Sequence, residues 1–337
     1  MGRSRFIHEA KQFLEGESTI DPFFLFGKLI KTVTCTRSTT ARVDILAQFY
    51  ESLCSKWDFS ECERVVRMAF MMDGGRIGNA VQLLISGAVG EHPDAEITVR
   101  NWLNDLFMNQ ETDDPREASF WLSAVLRSLP TISEQSRLFM IMFAPTHFVD
   151  GKERINWRCL CDQAVASFED SSARISPLSK AIQRLNGTRV VGGRFSWSNN
   201  DLFNMIEEIS TCPEPWSFDN FVALLLHEPV LIPISLAARM THGYEEEAGL
   251  MLNSMRTLLH RWNMDAISVL SGPMTLTMKS LTQPHRRALY VSVLEAHLRT
   301  VKDLTLSGHI QLRHDIEEEM VAHNSIHSLL RELTHFL

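Results

Sequence analysis

Apolar residues recur along most of this chain with the spacing of one helix face. From Arg42 to Leu53, the residues Val43, Leu46, Ala47, Tyr50 and Leu53 follow the i, i+3, i+4, i+7 pattern, which predicts an amphipathic helix with its stripe against a core. Ser60 is the expected N-cap of the next helix, which carries Cys62, Val65, Val66 and Ala69. Glu61 and Glu63 fall in its first turn, at the positive end of the helix dipole. Asp73-Gly74-Gly75 ends it. Asp94 is the expected cap of a helix bearing Val99, Trp102, Leu103 and Leu106. Asp113-Asp114-Pro115 opens another, since proline is tolerated where the helix has no use for an N–H.

The stretch from Glu117 to Trp157 holds the clearest pattern. Two amphipathic helices meet at a Leu129-Pro130 stop, and the second ends at Ala144-Pro145. Ser133 is the expected N-cap of that second helix, with Glu134 in its first turn. Ser136 stands where a capping box counted from Ser133 needs Glu or Gln, so a simple cap is expected there. Further helical periods cover 155–168, 175–186, 199–211, 217–227, 231–241, 244–261, 264–271, 284–303 and 313–335. Strand signals are few, and TRVVGGRFSW at 188–197 is the best site for a short hairpin or an extended loop.

Many helices of ordinary length with short Pro-, Gly-, Asn- or Asp-rich connections predict an all-α fold. The expected architecture is an irregular stacked helical array, α-solenoid-like or a multi-helix bundle, with at most one short β-hairpin. The expected organisation is an N-terminal helical region at 1–187, a loop or hairpin at 188–197 and a C-terminal helical region at 198–337, which one continuous stack would also accommodate. No strict repeat period is visible, which argues against tetratricopeptide or ankyrin arrays.

Composition narrows the class. The 337 residues are 45% apolar and 22% charged, with a net charge of -8, which suits a globular core and counts against direct nucleic-acid binding. The six cysteines, at 35, 54, 62, 159, 161 and 212, are sparse and unpatterned, as in a protein of a reducing compartment. Met1 to Leu14 lacks the apolar core of a signal peptide, and Phe6 stands where a myristoylation signal needs Ser or Thr. No apolar run nears the ~20 residues of a membrane span.

Chemistry-bearing residues do not assemble into a motif. His323 and His327 would share a helix face with Glu319 one turn earlier, but the general-base Glu of H-E-x-x-H is missing. Cys159-x-Cys161 is too tight for a zinc knuckle and has no second pair. Gly74-Gly75-Arg76-Ile77-Gly78 lacks the preceding strand and the Lys-Ser/Thr of a phosphate loop. No nucleophile elbow appears. The sequence therefore assigns no catalytic, cofactor-binding or metal-ligating residue and implies no cofactor and no enzyme activity. The tryptophans at 57, 102, 121, 157, 197, 216 and 262 are expected in the core, with one or two as anchors at a partner surface. Arg286-Arg287 after His285 opens a helix, where positive charge is unfavourable and hints at an anionic group.

The run Lys56-Trp57-Asp58-Phe59-Ser60-Glu61-Cys62-Glu63-Arg64-Val65 resembles the F-box only protein 47 family. So do Phe120-Trp121-Leu122, Leu129-Pro130, Ser136-Arg137-Leu138, Phe143-Ala144-Pro145 and Asp150-Gly151, and further on Trp197 to Trp216, with Cys212-Pro213-Glu214-Pro215-Trp216, and Ala237 to Gly243. The likeness covers about 40–335. It implies a non-catalytic subunit of a Skp–cullin–F-box ubiquitin ligase, with the Skp adaptor and a cullin as partners. It also implies a role in meiotic prophase, in the nucleus with the cytoplasm as a second location, with chromosome or synapsis proteins as targets. Charge and the lack of an apolar span add the expectation of no direct contact with nucleic acid or membrane. The matching region lies C-terminal to the family's F-box. Ile20-Asp21-Pro22-Phe23-Phe24 and Cys54-Ser55-Lys56-Trp57 are the nearest approach to that unit, a divergent F-box at 20–57, but Cys35 to Thr40 departs from it. The expectation is therefore a form without an F-box, which sets a second reading beside the first: a helical interaction scaffold of germline nuclei without a ligase connection.

Overall fold

The computed structural model describes residues 76–104, 119, 122–123, 125–188 and 196–307, and positions 317, 320, 324, 327, 328, 330 and 331. The expected helices at Arg42–Leu53 and after Ser60, the Asp113–Pro115 start and the F-box candidate at 20–57 lie outside these residues. So does most of the expected hairpin at 188–197. The chain divides into two compact units. One comprises Met1–Asn156 with Arg184–Ser198, the other Trp157–Gln183 with Asn199–Leu337.

The first unit contains α1 (Arg76–Ser86), α2 (Pro93–Leu103), α3 (Ile132–Phe143) and an antiparallel pair, β1 (Thr146–Val149) and β2 (Lys152–Ile155). Val99 and Leu103 of α2, Leu122, Val125 and Leu126, and Leu138 to Met142 of α3 form its core. Pro93 opens α2, and His92 precedes it without a side-chain cap. Asp94 is thus not the cap expected from the sequence; it sits in the first turn and meets Arg154 at 3.5 Å. The expected Ser133 cap is also corrected. The N-cap of α3 is Thr131, whose hydroxyl accepts the Glu134 N–H at 3.2 Å while the Glu134 carboxylate accepts the Thr131 N–H at 3.1 Å. That is a full capping box, read two residues upstream of the expected start.

Guanidinium groups close the helix ends of this unit. Arg100 donates to the carbonyls of Ile141 (3.2 Å) and Ala144 (2.7 Å). Arg137 donates to Ile85 (3.3 Å) and Gly87 (2.6 Å). Each satisfies carbonyls that a helix C-terminus leaves without partners. Trp197 is fully buried; its indole N–H donates to Ser123 Oγ at 2.9 Å, its backbone N–H to Thr188 Oγ1 at 3.1 Å, and the Arg127 guanidinium lies 4.1 Å from its ring centre.

Among the described residues a hairpin stands at 146–155. Its turn residues Asp150 and Gly151 have φ of 51° and 75°. Two successive positive φ values make the turn whose twist matches that of paired strands, and Asp-Gly is a favoured sequence for it. The helical period read over 155–168 is corrected accordingly: β2 occupies its start, and only α4 (Cys159–Asp162) is helical within it before α5 (Phe168–Arg174).

After α5 come α6 (Ser176–Gly187), α7 (Asn199–Ile209), α8 (Phe218–His227), α9 (Leu231–His242), α10 (Glu245–Arg261), α11 (Ala266–Ser280) and α12 (Gln283–Ser307). The second unit is a stack of helices in which α7 packs on α9, α8 on α10, α9 on α11 and α10 on α12. Its core includes Leu202, Ile206, Val222, Leu225, Leu236, Met251, Met255, Leu270 and Val293. Gly243 ends α9 with φ of 83°, a left-handed cap that suits glycine. Helix α11 runs to Ser280, past the expected end at 271 and through Pro273. Burial of Leu270, Met274, Thr277 and Met278 outweighs the hydrogen bond lost at the proline. A Cβ at Gly249 of α10 would run into the Ser292 carbonyl of α12, so glycine sets the close approach of these helices.

Candidate protein-interaction surface

The second unit assembles an aromatic edge from three separate segments. Ser167 caps α5 through a hydrogen bond to the Asp170 N–H at 3.2 Å, which places Phe168 at the start of the helix. His227 is the last residue of α8, and Trp262 follows the end of α10. The ring centres of Phe168 and His227 lie 5.4 Å apart, those of Phe168 and Trp262 also 5.4 Å, and those of His227 and Trp262 5.9 Å. Aromatic pairs at these separations attract beyond their simple burial.

Buried Ser171 and His227 Nε2 are hydrogen-bonded at 2.7 Å, which fixes the imidazole. Burial, and then the positive charge of Lys180, hold the His227 pKa below the usual 6.5. Burial raises the pKa of neighbouring Glu228, against the attraction of the same lysine. The edge is only partly covered. Phe168 is 39% exposed, and Val230 and Met264, three residues after His227 and two after Trp262, are 39% and 38% exposed. A half-exposed aromatic cluster on a rigid helical scaffold is suited to anchor a protein partner.

The residues singled out in sequence have other tasks. Trp157, Trp197 and Trp216 are buried, Trp102 and Trp262 half-buried, and Trp57 and Trp121 lie outside the described residues. Burial pushes the Cys159 thiol up to about 11 and raises that of Cys161, whose Sγ lies 3.2 Å from the Glu214 carbonyl. Both stay protonated at neutral pH, which suits neither a nucleophile nor a metal ligand. Among the described residues no group of three or more His, Cys, Asp and Glu is placed to hold a metal ion. His327 is an exposed helical residue, while His323 and Glu319 lie outside the description. Arg76 to Gly78 form the start of α1 rather than a phosphate loop. Arg286 donates from Nε to the Leu281 carbonyl at 2.9 Å, closing the end of α11. No helix among the described residues is long and apolar enough to cross a membrane.

Helices stacked on their second neighbours, with an aromatic edge left open, define a helical-repeat protein-binding module. The family model described as FBXO47, ARM repeats matches residues 76–337, and the chain belongs to that family. F-box only protein 47 of Mus musculus is 25% identical over 206 residues, which cover 59% of this chain and 42% of the mouse protein. F-box only protein 47 of Homo sapiens is 24% identical over 178 residues, covering 53% of this chain and 36% of the human protein. The match thus spans less than half the length of these relatives. No solved structure matches the chain.

Proposed function

We propose that this chain is the target-recruiting, non-catalytic part of a Skp–cullin–F-box ubiquitin ligase that acts in the nucleus during meiotic prophase. The observation that carries this reading is the ARM-repeat match across 76–337, together with the name of the relatives it resembles. In such a ligase the helical repeats hold the target, and the Skp adaptor and cullin bring the ubiquitin-transfer machinery. The aromatic edge of Phe168, His227 and Trp262 is the anchor for that target. Chromosome or synapsis proteins are the target class, recognised through protein contacts without direct engagement of nucleic acid or membrane.

The test is affinity purification of the tagged chain from meiotic germ cells, beside a Phe168→Ser, Trp262→Ser double variant. The reading expects the Skp adaptor and cullin with both proteins, and synapsis proteins with the unsubstituted chain alone. Retrieval of synapsis proteins without any ligase subunit would overturn the ligase connection. Equal retrieval of the targets by the double variant, folded by circular dichroism, would remove the aromatic edge from the account.

A further inference from the structure

Helix α12 presents an outer stripe with an unusual symmetry. Its inner face is fixed: Leu289, Val293 and Ala296 are buried, Ser292 meets Gly249, and Thr300 Oγ1 accepts from Asn253 Nδ2 at 2.9 Å. On the outer face Val291 is 50%, Leu298 66% and Leu306 72% exposed, and Glu295 and Lys302 are exposed among them. At 3.6 residues per turn these five residues fall within an arc of about 80°. Three large aliphatic side chains along one rigid helix are more than a scattered surface Leu explains. Arg299, beside the stripe, is drawn towards α10 by its ion pair with Glu246.

We infer that this stripe binds a second copy of the same chain, α12 against α12 in antiparallel, two-fold arrangement. In such a pair, residues equally far from the helix midpoint on opposite sides meet across the axis. With the axis between Leu298 and Arg299, Val291 faces the Leu306 of the second copy. Glu295 faces its Lys302, and each Leu298 lies at the axis against the other. The apolar residues are matched with apolar, and the acid with the base, twice over. A parallel pair in register would set Glu295 against Glu295 and Lys302 against Lys302, and like charges opposed select against it. The side chains of Glu295 and Lys302 are two turns apart, too far to pair within one helix. This self-complementarity singles out a second copy rather than an unrelated protein. The contact sits at the small end of specific interfaces, since one pair of helices carries it. The apolar residues supply the affinity, and the two charge pairs set the register. The inference rests on α12 alone and is independent of the ligase reading.

Sedimentation equilibrium on the full 337-residue chain tests it. The unsubstituted chain is expected to dimerise reversibly below about 100 µM. Glu295→Lys alone and Lys302→Glu alone each place like charges opposite one another. Each is expected to weaken the dimer at least about tenfold. An equimolar mixture of the two single variants restores opposite charges at both pairs, as does the double variant alone, and both are expected to dimerise like the original. Circular dichroism checks that each variant is folded. A chain that stays monomeric over the whole range overturns the inference, because another partner or another segment then occupies the face. A dimer that forms but ignores the charge variants overturns it too, because a different surface then holds it.

Discussion

The hairpin at 146–155 and the connector at 159–165 are held by opposite strategies. The hairpin is specified locally. Asp150 and Gly151 supply the two positive φ values, β1 and β2 pair in register, and the Asn156 N–H closes onto the Pro145 carbonyl at 2.8 Å. The connector is specified from far along the chain. Fully buried Asn220 of α8 donates to the carbonyls of Leu160 (2.8 Å) and Gln163 (2.7 Å) and accepts the Val165 N–H at 2.9 Å. Arg174 adds bonds to the carbonyls of Cys159, Gln163 and Ala164. A turn that carries its own instructions folds as a unit, whereas the connector takes its shape only once α8 is in place.

The largest effect is expected at Asn220. Asn220→Ala leaves the buried Val165 N–H without its partner and takes one of two donors from each of the Leu160 and Gln163 carbonyls, which keep Ser217 and Arg174; it is expected to cost about 2–3 kcal/mol. Urea unfolding would show it, and a loss under about 1 kcal/mol would mean that water or Arg174 suffices to hold the connector. On the local side, Gly151→Ala forces a side chain into the left-handed region, at an expected cost of about 1–2 kcal/mol. Hydrogen exchange should locate that loss in 146–155 alone; a loss spread into the second unit would contradict local specification. Thr131→Ala, which removes one arm of the capping box, is expected to cost about 1 kcal/mol in the same assay.

The smallest effect is the pH response of His227, a residue whose setting also comes from distant segments. Its folded pKa lies below the ordinary 6.5. As the pH falls from 6.5, the unfolded chain therefore takes up the proton first. The stability that neutral His227 contributes is present above 6.5 and is lost as the pH falls through the folded pKa. His227→Gln keeps a hydrogen-bonding group for Ser171 and removes the titration, so its melting temperature should vary less between pH 7.5 and 5.5. Identical slopes for the two proteins would assign the acid response elsewhere.

How much was legible in the sequence follows the same division. Helices α7 to α10 lie where the helical period places them, because each buries its apolar residues and ends at a recognisable cap or break. The family resemblance rested on structural motifs and holds across the ARM repeats. Two local signals, Asp150-Gly151 and Thr131-x-x-Glu134, were present in the sequence and were outweighed by a helical reading of 155–168 and by a cap placed at Ser133. The extent of α11 was less accessible, because Pro273 breaks a helix on local rules and packing overrides it. The aromatic edge was not legible at all. Phe168, His227 and Trp262 come from three distant segments, and only the packing of α5, α8 and α10 makes them neighbours.

Whether these ARM repeats serve a ubiquitin ligase is read from binding of the Skp adaptor to the full chain. The full chain is co-expressed with the Skp adaptor, purified, and run by size-exclusion chromatography with mass determination. A ligase connection requires that the divergent F-box at 20–57 bind the adaptor, and a stable complex that holds the two proteins in equal number is then expected. A well-folded chain that elutes free of the adaptor would contradict the ligase connection and leave a helical scaffold that binds its meiotic partners alone.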